Sequence, residues 1–170
     1  MTDDGSAARQ DRRIDEAYLA HFNVVHRRAS RILRDEAAAL DVAQEAFMRW
    51  LKRRLSGEET ERDTAAFLFK TVTNLAINHL RDRKRQSELL KRWHEGRNAE
   101  PQSHQGAERI DIRLVLAGVD PTQAEVALHH YVDGMSLEEI AELYGTSKRS
   151  ITRRLESFRQ SAQKILETGR

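Results

Sequence analysis

Apolar side chains recur at steps of three and four along most of the chain. Ile14, Tyr18, Phe22, Val25, Ala29 and Ile32 form one such stripe, which predicts a helix over about 14–34. A second helix is predicted over about 36–54, with Leu40, Ala43, Phe47, Trp50 and Leu51 turned inward. Its other face carries Asp41, Gln44, Glu45 and Met48 at i, i+3, i+4 and i+7, a coherent exposed strip. Residues 55–63 (LSGEETERD) break the period with Gly57 and four acids, and read as a loop. A third helix over about 64–92 packs Phe67, Leu68, Val72, Leu75, Ala76 and Leu80 inward and turns strongly basic in its C-terminal half.

The pattern then stops. Residues 94–107 (HEGRNAEPQSHQGA) hold two glycines, a proline and almost no large apolar side chain, the composition of a linker. Beyond it a short helix with Ile110, Leu114 and Val115 precedes Asp120-Pro121-Thr122-Gln123. Asp at the N-cap, Pro at the first helical position and Gln three residues after the cap make a strong helix start. That helix carries Val126, Ala127, His130 and Tyr131 up to Gly134. Ser136-Leu-Glu-Glu139 is a capping box opening a short helix with Leu137, Ile140, Ala141, Leu143 and Tyr144, which stops at Gly145. Thr146-Ser147 caps a last helix whose stripe is Ile151, Leu155, Phe158, Ala162 and Ile165. The expected fold is all-α: a disordered polar tail at 1–12, one small helical domain at 13–93, a linker at 94–107 and a second small helical domain at 108–170.

Composition supports two small domains. The chain is 39% hydrophobic and 33% charged, lean in core and rich in surface. Net charge is only +2, but it is unevenly placed. Residues 81–97 hold seven Lys/Arg against three acids, and 147–164 hold six against one. Two separated basic segments fit two contacts with a polyanion. Charge alone fits solvated helix faces equally well. With no cysteine, disulfide and thiolate chemistry are excluded and a reducing cytoplasm is compatible. No apolar run approaches a membrane span of ~18 residues, and the polar N-terminus is unlike a secretory signal. The expectation is a cytoplasmic protein with no membrane association.

Residues 136–157 read as helix, glycine-containing turn, helix. This is the helix-turn-helix layout, in which the second helix enters the major groove N-terminal end first. That helix presents Ser147, Lys148, Arg149, Ser150, Thr152, Arg153, Arg154, Glu156 and Ser157 away from its apolar stripe. Arg pairs bidentately with guanine, Glu accepts from cytosine, and Ser, Thr and Lys hold phosphates. The competing reading is an ordinary helical hairpin. In the first domain Asn74 and Asn78 sit one turn apart, followed by the basic run Arg81, Arg83, Lys84 and Arg85. Asn is a mediocre helix former, so the pair hints at a used surface, but on these residues alone solvated polar side chains explain it better.

Catalysis has little support. His21 and His26 are five apart and do not share a face as zinc ligands do at i, i+4; His129 and His130 are adjacent and diverge. No glycine-rich phosphate loop, Ser/His/Asp grouping or HExxH occurs, so no catalytic residue, metal, cofactor or small-molecule substrate is assigned.

Three motifs in order resemble the ECF (extracytoplasmic-function) sigma factors of the sigma-70 family. Asp41-Val-Ala-Gln44-Glu45-Ala-Phe47 resembles their D-x-x-Q-[ED]-x-F signature. Phe67-Leu68 with Asn74-Leu-Ala-Ile-Asn78-His-Leu80-Arg81 resembles W-L-x(5)-N-x-A-x-[DN]-x-x-R. Tyr131-Val-Asp-Gly134-Met-Ser-Leu-Glu-Glu139-Ile140-Ala141 resembles Y-x-x-G-x-s-x-x-E-I-A. The likeness covers about 14–166. It departs where Leu40 stands for a second acid, where Phe67 replaces the common Trp, and where Val119-Asp120-Pro121 and Gln123-Ala124-Glu125 replace Leu-Pro and a Gln-Arg-Glu run.

The resemblance implies a transcription initiation factor and no enzyme. The first domain would be sigma region 2, docking on core RNA polymerase through Asp41, Gln44, Glu45 and Met48. Phe67, Asn74, Asn78, Arg81, Arg83, Lys84 and Arg85 would engage the −10 element as it melts, and the loop at 55–66 would capture a flipped base. The second domain would be sigma region 4, reading the −35 element through Ser147 to Ser157. The partners implied are core polymerase, promoter DNA and an anti-sigma factor acting in trans. The two rival readings are a helix-turn-helix regulator that acts without polymerase and an enzyme, and phosphorylation at Thr60 or Thr64 is the alternative to an anti-sigma factor as the means of control.

Overall fold

The computed structural model describes residues 4–57, 64–95 and 112–168, with side chains from Arg12 in the first stretch and up to Trp93 in the second. Every regular element among them is helical. They are α1 (Asp4–Leu33), α2 (Glu36–Leu55), α3 (Thr64–Glu95), α4 (Ile112–Gly118), α5 (Pro121–Ala127), α6 (Leu137–Leu143) and α7 (Lys148–Thr168). The chain divides into two compact units, Met1–Ala76 and Ile77–Arg170. The division falls inside α3, upstream of the expected linker. That linker lies outside the described residues from position 96 onward.

The first unit is built on α1 against α2. The stripe of α1 buries Val25, Ala29, Ile32 and Leu33; α2 answers with Ala39, Val42, Ala43, Ala46, Phe47 and Trp50. Each large apolar side chain so buried contributes about 1.5–3 kcal/mol before chain entropy is charged against it. The small residues on α2 leave room for rings. Phe47 lies 5.8 Å from Phe22 and 6.1 Å from Trp50, centroid to centroid, while Tyr18 stacks on Phe22 at 4.6 Å. From α3, Leu68 and Val72 are fully buried.

Polar links tie α3 to this core. The Trp50 indole donates to Thr64 Oγ1 at 3.4 Å. Arg28, only 4% exposed, donates from Nε to Thr73 Oγ1 at 3.2 Å and lays its guanidinium over Phe69, 4.9 Å from the ring centroid. The Thr73 hydroxyl in turn donates to the Phe69 carbonyl, so the arginine is held by a side chain that α3 itself fixes. A charged group survives in a core when its desolvation is offset by such bonds.

The first unit departs from the sequence reading in three places. Helix α1 begins at Asp4, so the expected tail is helical over most of its length. Ala7, Ala8, Arg9, Gln10, Arg12 and Arg13 are good helix formers, and polarity alone does not break a helix. Leu40, expected inward, is 41% exposed, because it lies at the border between the face centred on Ala43 and Ala46 and the polar strip. Tyr18, at the edge of the α1 stripe, is likewise 43% exposed.

The junction between α1 and α2 is tight. Arg34 adopts φ 51°, and its N–H bonds the Ser30 carbonyl at 2.9 Å. This is the left-handed C′ residue of a helix end, a position glycine usually fills. Asp35 then caps α2, its side chain accepting from the Ala38 N–H at 3.2 Å.

In the second unit the predicted caps form. Asp120 Oδ1 accepts from the Thr122 N–H at 2.9 Å and from the Thr122 hydroxyl at 2.6 Å, and Pro121 opens α5. These bonds, the hydroxyl first, hold the Asp120 carboxyl below its usual range. Ser136 and Glu139 make both bonds of a capping box on α6. Ile140, Ile151, Leu155 and Phe158 are buried.

The helix expected to run on to Gly134 changes character. Leu128–Val132 is a π-helical turn, with the Asp133 N–H reaching the Leu128 carbonyl at 3.1 Å. The wider turn sets His129 wholly inside. Its Nδ1 is 3.0 Å from Asp133 Oδ2, its Nε2 is 3.0 Å from the Tyr144 hydroxyl, and that hydroxyl donates to Glu125 Oε2 at 2.9 Å. Periodicity does not register a π turn, because the network that favours it is made by side chains from three elements. His129 and His130 do diverge: His130 Nδ1 lies 3.0 Å from the Met135 carbonyl.

Candidate nucleic-acid interface

The residues singled out in the sequence fall on three helices. On α2, Asp41, Gln44, Glu45 and Met48 are all exposed, while Val42, Ala43, Ala46 and Phe47 between them are buried. One helix face thus carries polar groups around Met48, which is 62% exposed. Glu45 Oε1 accepts from Arg49 Nε at 2.8 Å, one turn on. Leu40 joins this surface and gives it a second apolar side chain. The sequence reading missed it because a leucine on the border of two faces scores as core.

On α3, Phe67 is half-buried, with the Arg53 guanidinium 5.0 Å from its ring centroid. Asn74 is half-buried and Asn78 exposed, one turn apart. Arg83 and Arg85 are exposed, Arg81 and Lys84 half-buried. Acids on the same helix temper this run: Arg85 is 3.6 Å from Asp82 and Lys84 is 4.0 Å from Glu88. Leu89, Leu90 and Trp93 are also exposed at the end of α3, a feature the basic pattern obscured. The expected base-capture loop at 55–66 lies outside the described residues over 58–63.

Helices α6 and α7 make the helix-turn-helix. Gly145, at φ 58°, turns the chain between them in a conformation that other residues rarely take. The Ser147 hydroxyl accepts from the Ser150 N–H at 3.2 Å, so its side chain caps α7. Ser147, Lys148, Arg149, Arg153 and Glu156 are exposed; Ser150, Thr152, Arg154 and Ser157 are half-buried. The Thr152 hydroxyl donates back to the Lys148 carbonyl at 3.0 Å. Arg149 and Arg153, four residues apart, share one open face on the first turns of the helix, where a groove-reading helix makes its base contacts.

One link here had no signature in the sequence. Lys148 Nζ is ion-paired with Glu138 Oε1 across the turn, both side chains more than half exposed. The lysine's hydrogen bond holds the Glu138 carboxyl below its usual range. The two positions are ten apart on different helices, and no helical period relates them.

Two candidates from the sequence do not become sites. Thr64 is 6% exposed and accepts the Trp50 indole hydrogen bond, so it is closed to modification; Thr60 lies outside the described residues. His26 Nε2 sits 3.2 Å from Glu36 and His129 belongs to the buried network, so neither lines an open cleft. Among the described residues no group of three or more His, Cys, Asp or Glu is placed to hold a metal ion, and no helix is long and apolar enough to cross a membrane.

Comparison with known proteins bears on both units. The family model described as Sigma-70 region 2 matches residues 17–86, and the one described as Sigma-70, region 4 matches residues 109–156. The protein named "Probable ECF RNA polymerase sigma factor SigI" of Mycobacterium tuberculosis, in two strains, is 27% identical over 153 residues. The match takes in 84% of this chain and 51% of the relative, so the chain spans about half the length of the curated relatives it matches. A solved structure, the sigma factor RpoE in complex with the anti-sigma factor NepR from Bartonella quintana, overlays with a TM-score of 0.49 at 20% identity, covering 92% of this chain and 98% of that one. With region 2 and region 4 matched in their order along the chain, the chain belongs to the sigma-70 family.

Proposed function

We propose that the chain is a transcription initiation factor that binds core RNA polymerase through the exposed strip of α2, engages a melting −10 element through α3 and reads a −35 element through α7. The observation that carries this reading is the division of the Asp41–Phe47 motif. Its apolar members are buried, and its polar members, with Met48, stand in solvent on one face, Glu45 held beside Arg49 of the same helix. Asn74, Asn78 and the Arg81–Arg85 run would supply polar contacts to displaced bases and charge attraction to the backbone. In α7, Arg149 and Arg153 would read bases, with Ser147, Ser150 and Thr152 near phosphates.

The mechanism is binding energy used to open DNA. Unstacking costs a few kcal/mol per base, roughly, and contacts to unpaired bases offset it. Two weak DNA contacts become strong once both sit on one polymerase, through effective concentration. The factor performs no covalent chemistry and acts in the cytoplasm. Its region 2 spans 13–93, its linker 94–107 and its region 4 108–170. An anti-sigma factor acting in trans would cover exposed apolar groups such as Leu40 and Met48.

The test is retention of purified bacterial core RNA polymerase by the immobilised chain, wild type against Asp41→Ala/Gln44→Ala. Wild type retains polymerase and the double variant loses it by tenfold or more, on the order of 1.4 kcal/mol. A wild-type chain that is folded and fails to bind overturns the reading and leaves a helix-turn-helix regulator acting without polymerase. Equal retention by both chains overturns the assignment of the α2 strip.

A further inference from the structure

The first turn of α7 is electrostatically odd. A helix N-terminus carries partial positive charge and favours acids nearby. Helix α7 instead opens with Lys148 and Arg149, and its first turn contains no acid. The anion that meets this charge comes from the neighbouring helix: Glu138, in the first turn of α6, is paired with Lys148. Both side chains keep more than half of their surface in water, at 63% for Glu138 and 58% for Lys148. A pair this exposed is worth only a small factor in an equilibrium.

We infer that Glu138 is an internal competitor for DNA phosphate, which occupies Lys148 and so lowers the affinity of the helix-turn-helix for duplex DNA that lacks the preferred sequence. The inference rests on the reading of α7 as a DNA-contacting helix. Non-specific binding is driven almost wholly by cations that neutralise phosphates and release counterions. Lys148 stands on the turn that leads α7 into the groove, a position suited to a phosphate contact. While Glu138 holds it, the domain meets random DNA with one effective cation fewer than its sequence carries. Contacts by Arg149 and Arg153 to base edges are untouched, so sequence-dependent binding keeps its full share.

The experiment measures binding of the full chain to a 30-base-pair duplex of random sequence by fluorescence anisotropy, across a series of KCl concentrations. Four proteins are compared: wild type, Glu138→Gln, Lys148→Gln and the double variant. Glu138→Gln binds about two- to fivefold more tightly than wild type at low salt, the factor expected for freeing one partner of an exposed pair. Its plot of log K against log[KCl] is steeper by about 0.9, the signature of one further phosphate contact. With Lys148→Gln in place, Glu138→Gln changes neither affinity nor slope. A merely structural role for Glu138 would alter the thermal midpoint and leave the slope alone. The inference is overturned by an unchanged slope in Glu138→Gln, or by an equal gain in the Lys148→Gln background. If none of the four folded proteins binds duplex even at the lowest salt, the DNA-contacting reading of α7 itself falls.

Discussion

Arg34 is the place where this sequence works against its own backbone, and replacing it by glycine stabilises the first unit. Residue 34 ends α1 in the left-handed conformation, at φ 51°, with its N–H bonded to the Ser30 carbonyl. An L residue there costs about 1–2 kcal/mol through the approach of Cβ to the neighbouring carbonyl. Glycine removes that strain but has about 0.4–1 kcal/mol more backbone freedom to lose from the unfolded chain. The difference is a net gain of about 0.5–1 kcal/mol for Arg34→Gly. The Arg34 side chain is exposed, so little packing is lost with it. Urea unfolding followed by tryptophan fluorescence measures the gain. Trp50 is 1% exposed in the core of the first unit and Trp93 is 76% exposed, so a Trp93→Phe background leaves one probe that reports the relevant unit. With a urea m-value of about 1 kcal/mol/M for a unit of this size, the midpoint rises by about 0.5–1 M. Arg34→Ala is the control: it deletes the side chain, keeps the strain, and stays close to wild type. If Arg34→Gly is no more stable than Arg34→Ala, the left-handed conformation is not a source of strain and the argument fails.

Two further expectations concern the second unit. Asp120→Ala removes the N-cap of α5 and costs about 1 kcal/mol near neutral pH. Because folding depresses the Asp120 carboxyl below its value of 3.8, its contribution is fully present above that pH and fades as pH falls through the lower folded value. Thermal melts of wild type and Asp120→Ala therefore converge in acid, and a gap that stays constant down to strong acid would refute the capping account. Tyr144→Phe deletes the hydroxyl shared by His129 and Glu125 and costs about 1–3 kcal/mol, lowering the melting temperature of the helix-turn-helix unit while Trp50 fluorescence in the first unit is unchanged.

Much of this protein is legible along the chain, because helices are local. The stripes from Val25 to Ile32 and from Ile151 to Phe158 select their buried faces by spacing alone. Asp120-Pro121 and Ser136–Glu139 announce helix starts because a cap satisfies backbone N–H groups within three residues of itself. The polar strip of α2 and the open face of α7 follow from the same geometry, since what is opposite a buried stripe is exposed. The tertiary structure decided what depends on residues distant in sequence. Arg28 is received into the core by Thr73 and Phe69, and Thr64 is tied to Trp50, in both cases by residues distant in sequence. His129 is drawn inside a π turn by Asp133, Tyr144 and Glu125, and Leu40, on the border of the buried face of α2, is left at the surface. Glu138 and Lys148 meet across a turn whose angle no hydrophobic period encodes. Periodicity records which face of a helix is apolar, and only the packed chain sets which side chains from different helices come within reach of one another.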